Sequence, residues 1–132
     1  MAAPAMAALA QQRLGQPVRV MRFDQLDAAD HYDAIYASYS LLHVPRTGLP
    51  EVLQRIWRAL RPGGWHMATY KRGGGEGRDE LGRYFNYLSA AEAEAFYGAA
   101  GAWQEIGITT GEGAGYCGRL SPWINVIARK AP

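Results

Sequence analysis

The segment at residues 49–60 restricts the fold more than any other. Leu49, Val52, Leu53, Ile56, Trp57 and Leu60 recur at i, i+3, i+4, i+7, i+8 and i+11. That spacing puts all six on one face of a helix, and it reads as core rather than as a cofactor box. Pro50 suits the first helical turn, where a backbone N–H has no partner to lose, and Pro62-Gly63-Gly64 ends the helix. Upstream, residues 32–42 form a nearly continuous apolar and aromatic run, as expected of a strand buried on both faces of a sheet. His43, Val44 and Pro45 break it. Downstream, residues 65–70 read as another strand. A helix between two strands is the crossover of a parallel sheet.

The remaining segments extend this pattern. Residues 5–14 read as a helix with Met6, Leu9, Ala10 and Leu14 at helical spacing and Gly15 as its stop. Pro17 opens a predicted strand at residues 18–23, ended by Asp24, and residues 27–31 are polar and turn-like. Gly73, Gly74, Gly75, Gly77 and Gly82 mark a loop. Ser89 and Glu92 match a capping box that opens a helix through Ala100, with Phe96 and Tyr97 facing inward and Gly101 as the stop. Residues 103–109 and 122–129 read as the last two strands, with a loose glycine turn at residues 111–118 between them. No helix separates these two, so they are expected to pair antiparallel. No repeat or linker divides the 132 residues, which read as a single domain.

Composition excludes several classes. Fourteen basic against 12 acidic side chains give a net charge of only +2, without the basic stripe of a nucleic-acid or membrane-surface protein. One cysteine, Cys117, excludes an internal disulfide framework and a multi-cysteine zinc site, and no partner marks it as reactive. No apolar run reaches the roughly 18 residues of a membrane span. The Ala-rich start lacks the basic region of a signal peptide. A soluble cytoplasmic domain is the expectation.

Four stretches, in order, resemble the later part of a class I S-adenosylmethionine-dependent methyltransferase of the type 11/12 kind. Met21-Arg22-Phe23-Asp24-Gln25-Leu26 resembles the end of the family's third strand. Tyr32-Asp33-Ala34-Ile35-Tyr36-Ala37-Ser38 with Leu41-Leu42-His43-Val44-Pro45 resembles the fourth-strand motif. Arg58-Ala59-Leu60-Arg61-Pro62-Gly63-Gly64 resembles the x-x-L-K-P-G-G signature before the fifth strand, and the final strand pair resembles the antiparallel seventh strand. The resemblance implies an α/β, Rossmann-like sheet comprising strands three to seven, the last antiparallel. The family's G-x-G-x-G turn after its first strand, and the acidic residue ending its second, have no counterpart here. Gly73-Gly74-Gly75-Glu76-Gly77 follows the wrong strand to replace the turn. A truncated domain is therefore expected. In the family order 3-2-1-4-5-7-6, loss of strands one and two leaves the fourth with an open edge. The third strand would then slide over to it, a second copy would supply the edge as a homo-oligomer, or the fragment would aggregate.

The resemblance also implies roles. Asp24 is the candidate acceptor for the adenine amino group, with Phe23 packing on the ring. Ala37 and Ser38 lie where backbone carbonyls pass the sulfonium and amino group of S-adenosylmethionine. His43, just past that strand, suits a general base or orienting group at the methyl acceptor. His31 and His66 read as structural or exposed. Tyr70, Lys71, Arg78, Tyr84 and Tyr87, with Glu76, Asp79 and Arg83 nearby, could recognise an anionic or polar small molecule. No metal is implied. The functional expectation is methyl transfer to a small molecule by a polypeptide inactive alone. The alternatives are a non-catalytic remnant or interaction module, and a different Rossmann-like partner domain.

Overall fold

The computed structural model describes residues 3–114 and 120–132. Cys117, Gly115 and Gly118 lie outside the described residues. The elements are α1 (Pro4–Leu14), β1 (Tyr32–Ser38), α2 (Leu49–Ala59), β2 (Leu60–Lys71), β3 (Glu76–Arg78), β4 (Tyr84–Asn86), α3 (Ala90–Ala100), β5 (Trp103–Ala114) and β6 (Leu120–Lys130). One sheet runs in the order β1-β2-β6-β5, and β3 pairs with β4 in a separate hairpin. β1 and β2 are parallel across the α2 crossover, and β6 is antiparallel to both neighbours. The order corresponds to 4-5-7-6 of the expected sheet.

The predicted helices form for the predicted reasons. In α2, Leu49, Val52, Leu53, Ile56 and Ala59 are buried, Glu51 sits in the first turn and Arg58 in the last, matching the helix dipole. The Ser89 hydroxyl accepts the Glu92 N–H while the Glu92 carboxylate accepts the Ser89 N–H, completing the capping box of α3. Of its two inward candidates, Tyr97 is fully buried and Phe96 half-buried. α1 ends at Gly15, whose φ of 66° needs no Cβ, yet it buries none of its residues.

The glycine pair after α2 is structural. Residues 60–65 of β2 form a bulge opposite Tyr32 and Ala34. Gly63 takes φ 79°, and a Cβ at Gly64 would stand 2.8 Å from the Arg61 carbonyl and 3.0 Å from the Asp33 carbonyl.

Several expectations fail. Residues 18–23 are not a strand: the segment is extended without a ladder partner and runs into a 3-10 turn at Phe23–Gln25. Its N–H groups are met locally instead, Val18 by the Gln11 side chain and Arg22 by Gln25. It does not slide across to β1, which pairs with β2 alone among the described residues. The run at residues 32–42 is not one strand either. It ends at Ser38, Tyr39 turns away with φ 52°, and Leu41–His43 is a 3-10 turn that buries Leu41 and Leu42. Nor is the sheet covered on both faces. His66, Ala68, Tyr70, Ile124, Val126 and Ala128 face the helices, while Tyr36 (69% exposed), Trp65 (40%), Met67 (38%) and Ile127 (39%) face outward. The loop after β2 contains the β3–β4 hairpin. Gly111 and Gly113, expected in a turn, extend β5 and pair with Trp123 and Ser121.

Candidate active site

β1 and β2 run parallel, so both end at one edge of the sheet, and the chain leaving each end supplies the site. After β1, the buried pair Leu41 and Leu42 anchors the 3-10 turn and leaves His43 exposed at its end. The chain after β2 folds back as the β3–β4 hairpin over the same edge. His43 Nδ1 lies 2.7 Å from the Tyr84 carbonyl oxygen. A carbonyl only accepts, so Nδ1 carries the proton and Nε2 keeps the lone pair. Partial burial, then the charges of Arg83 and Lys71, push the His43 pKa below the ordinary 6.5. The imidazole is thus a neutral base at physiological pH, in a fixed tautomer.

A cleft of about 280 Å³ opens beside it, lined by Arg22, Phe23, Asp24, His43, Val52 and their neighbours. Phe23 is half-buried, and the exposed Asp24 carboxylate accepts the Arg22 Nε–H at 3.1 Å. Phe23, Asp24 and His43 therefore share one cleft, although the first two come from a turn rather than a strand end. Ala37 and Ser38 close β1 at the same sheet edge, the Ala37 side chain buried and Ser38 exposed.

On the hairpin side, the buried Phe85 ring is the common platform. The His43 ring centroid lies 4.8 Å from it, and Tyr87 stacks on it at 5.7 Å. Lys71 Nζ stands 4.4 Å from its centroid and the Arg83 guanidinium carbon 5.1 Å. Lys71, Tyr84 and Tyr87 thus converge with His43.

Two candidates do not. Tyr70 is fully buried and faces α3, its hydroxyl 2.7 Å from that of Tyr97, so it packs the core and does not line the cleft. Arg78 is exposed and donates to the Gly82 carbonyl at 2.7 Å, closing its own hairpin. His66 is structural, as expected. Its Nδ1 lies 3.0 Å from the Ile35 carbonyl and its Nε2 2.9 Å from the Tyr97 hydroxyl. His31 is exposed, edge-on to Tyr32.

Arg46 is the residue that sequence reasoning missed. Its guanidinium donates to the Asn86 Oδ1 at 2.9 Å, to the Tyr87 carbonyl at 2.6 Å and to the Glu92 carboxylate. It ties the turn carrying His43 to β4 and to the start of α3. These partners lie 40 to 46 positions further along the chain, and no local signal announces them. Asn86 Nδ2 is buried with no hydrogen-bond partner among the described residues.

Among the described residues, no three His, Cys, Asp or Glu side chains are grouped to hold a metal ion. No helix among them is long and apolar enough to cross a membrane.

The pattern described as a methyltransferase domain matches residues 2–64. Three solved structures share the fold. The Burkholderia thailandensis 1,6-didemethyltoxoflavin-N1-methyltransferase, crystallised with 1,6-didemethyltoxoflavin and S-adenosylhomocysteine, is 20% identical with a TM-score of 0.76. All of this chain aligns, over 59% of that one. An S-adenosylmethionine-dependent methyltransferase from Methanosarcina mazei is 14% identical with a TM-score of 0.79, over 98% of this chain and 79% of that one. Phosphoethanolamine N-methyltransferase 2 from Haemonchus contortus is 13% identical with a TM-score of 0.76, over 98% and 41%. No curated protein matches the chain in sequence. The expected resemblance therefore holds: the chain has the fold of the class I S-adenosylmethionine-dependent methyltransferases and carries the methyltransferase-domain pattern across residues 2–64.

Proposed function

We propose that the chain is the acceptor-side portion of an enzyme that transfers a methyl group from S-adenosylmethionine to a small molecule. The observation that carries this reading is the neutral, tautomer-fixed His43 in the same cleft as Phe23 and Asp24. The residues fit one end of the donor. Phe23 offers an apolar plate for an adenine and Asp24 an acceptor for its amino group, in a cleft of nucleoside size. The described residues offer no cradle for the methionine end, so the isolated chain binds the donor weakly. When bound, the donor supplies an electrophilic methyl group on a sulfonium.

His43 Nε2 takes the proton from the acceptor N–H or O–H, while the Tyr84 carbonyl steadies the imidazolium through Nδ1. The hairpin covers the acceptor and limits its contact with water. The small net charge supports a small-molecule acceptor over nucleic acid or a membrane surface.

The test is an NMR titration with S-adenosylhomocysteine. Shifts confined to Phe23, Asp24, His43 and the end of β1 are expected at millimolar ligand. An unchanged spectrum at that concentration overturns the reading for this polypeptide.

A second reading rests on the edge of β1 that has no partner among the described residues and on the open sheet face at Tyr36, Trp65 and Met67. The chain would then be a non-catalytic module that pairs with a second copy through β1. Concentration-dependent mass in light scattering, abolished by Ile35→Pro but with no S-adenosylhomocysteine response, would select it.

A further inference from the structure

Phe85 brings two unlike groups together. On one side lies His43, the base; on another lies the ammonium of Lys71, at the last residue of β2. The other cation on the ring, Arg83, is matched by Asp79, with contacts of 2.7 and 2.9 Å between guanidinium and carboxylate. Lys71 pairs with no carboxylate among the described residues, and it is half-buried at the sheet edge where parallel strands present their ligands. Its partner is an aromatic face, which attracts a cation but does not neutralise it. The charged groups near His43 are thus Lys71 from β2 and the Arg83–Asp79 pair from the hairpin, with the Arg22–Asp24 pair and Glu51 lining the same cleft, and of these Lys71 is the cation without a carboxylate partner among the described residues.

From this we infer that the methyl acceptor carries an oxyanion, a carboxylate or phosphate, which the Lys71 ammonium holds beside the N–H or O–H that His43 deprotonates. The inference deepens the function proposed above and rests on it for the identity of the reaction, though not for anion binding. Lys71 acts here as a specificity-determining residue. It touches the anionic substituent and leaves the proton transfer to His43. A lone ammonium next to a ring is a point-charge anchor, tolerant of either oxyanion geometry, unlike a bidentate arginine fork. An anion at Lys71 also cancels the cation that disfavours protonation of His43, so the two sites are coupled.

That coupling gives a test that needs no donor and no turnover. The His43 ring is titrated by NMR in chloride, in inorganic phosphate and in benzoate at matched ionic strength, with His43→Gln assigning the resonance. Phosphate or benzoate should raise the His43 midpoint by about half a pH unit, a roughly threefold change in proton affinity. Lys71→Met should raise the midpoint in chloride and remove the response to both anions. Lys71→Arg should retain the response, which guards against a folding defect in the methionine variant. Benzoate alone acting selects a carboxylate, and phosphate alone a phosphate. No anion effect in the unaltered chain, or an effect that survives Lys71→Met, overturns the inference. Either result leaves the S-adenosylhomocysteine titration, and the reading it tests, standing or falling separately.

Discussion

The Tyr84 carbonyl oxygen lies 2.7 Å from His43 Nδ1, so a strand of the hairpin sets the tautomer of a histidine 41 positions earlier in the chain. A base held this way works only when unprotonated. Partial burial, Arg83 and Lys71 hold its pKa below 6.5. Methyl transfer, measured as kcat/KM in whatever assembly supports turnover, should be flat above neutrality and fall only below a midpoint under 6.5. His43→Gln should lower kcat by about 100-fold or more and erase that acid limb. A wild-type midpoint at or above 6.5 would contradict the electrostatics described for the site.

Much of this was legible in the residues, and the rest was hidden for identifiable reasons. The stripe on α2 and the Ser89–Glu92 box are local patterns, and local physics suffices to read them, whereas α2 already ends at Ala59 and Pro62-Gly63-Gly64 falls inside β2 as a bulge rather than ending the helix. His43, Phe23 and Asp24 were named because a family resemblance placed them, and the fold does bring them to one cleft. Val18, Val20 and Met21 have strand character, which predicts a strand at residues 18–23, but a strand exists only with a ladder partner and the segment has none among the described residues. Tyr70 stands at the sheet's carboxyl edge in sequence, but alternation along β2 turns its side chain into the core. Lys71, not Tyr70, leaves the core. Arg46 depends on contacts across forty residues, which no single-sequence pattern encodes.

His66 makes stability depend on acid. It is buried, and burial pushes its pKa down to about 4 despite the bond to the Ile35 carbonyl. The unfolded imidazole titrates near 6.5, so below that pH the unfolded chain takes up a proton that the native one refuses. Stability is complete above 6.5 and declines as pH falls toward 4, by about 3 kcal/mol over the interval. Urea unfolding at half-unit pH steps reads this slope directly. Glu92, held down to about 2 by Arg46 and by the Ser89 backbone, contributes its own loss only below 4.5. A flat profile between 6.5 and 5 would show that His66 is protonated in the core.

Tyr97 is the middle of a buried chain of three groups. The Ile35 carbonyl fixes the proton on His66 Nδ1, so Nε2 accepts from the Tyr97 hydroxyl, which in turn accepts from Tyr70. Tyr97→Phe leaves an imidazole nitrogen and a hydroxyl without partners and should cost about 2–4 kcal/mol. Tyr70→Phe removes only the terminal donor and should cost about 1 kcal/mol. Equal losses in chemical denaturation would mean that the order of donors is not the one given.

Gly64 tolerates no side chain because its neighbours are backbone. A Cβ there meets the Arg61 and Asp33 carbonyls at 2.8 and 3.0 Å, and neither can swing aside. Gly64→Ala should destabilise the fold by about 2 kcal/mol or more, by prising β1 from the start of β2. Gly74→Ala, with open space around the site, is the matched control and should be within about 0.5 kcal/mol of the parent. Thermal melts of the pair separate a close-approach role from a general intolerance of alanine.

Arg46 should prove the pin of the β3–β4 hairpin. Arg46→Ala strands the Asn86 Oδ1 and the Tyr87 carbonyl beside an Asn86 amide that already lacks a partner. Such groups cost about 1–3 kcal/mol each when they stay dry. The hairpin can lower this cost by lifting into water. The expected outcome is therefore a global loss of about 2 kcal/mol together with a local one: faster proteolysis within residues 73–83 than in the rest of the chain. Because Tyr84 moves with the hairpin, the His43 tautomer should also lose its lock, and the His43 midpoint should move back toward 6.5. Arg46→Lys supplies charge for Glu92 but not the fork for Asn86 and Tyr87, so it should restore little. If proteolysis and the His43 midpoint both stay at parental values in Arg46→Ala, the hairpin is held by the Phe85 stack alone and Arg46 is a surface ion pair.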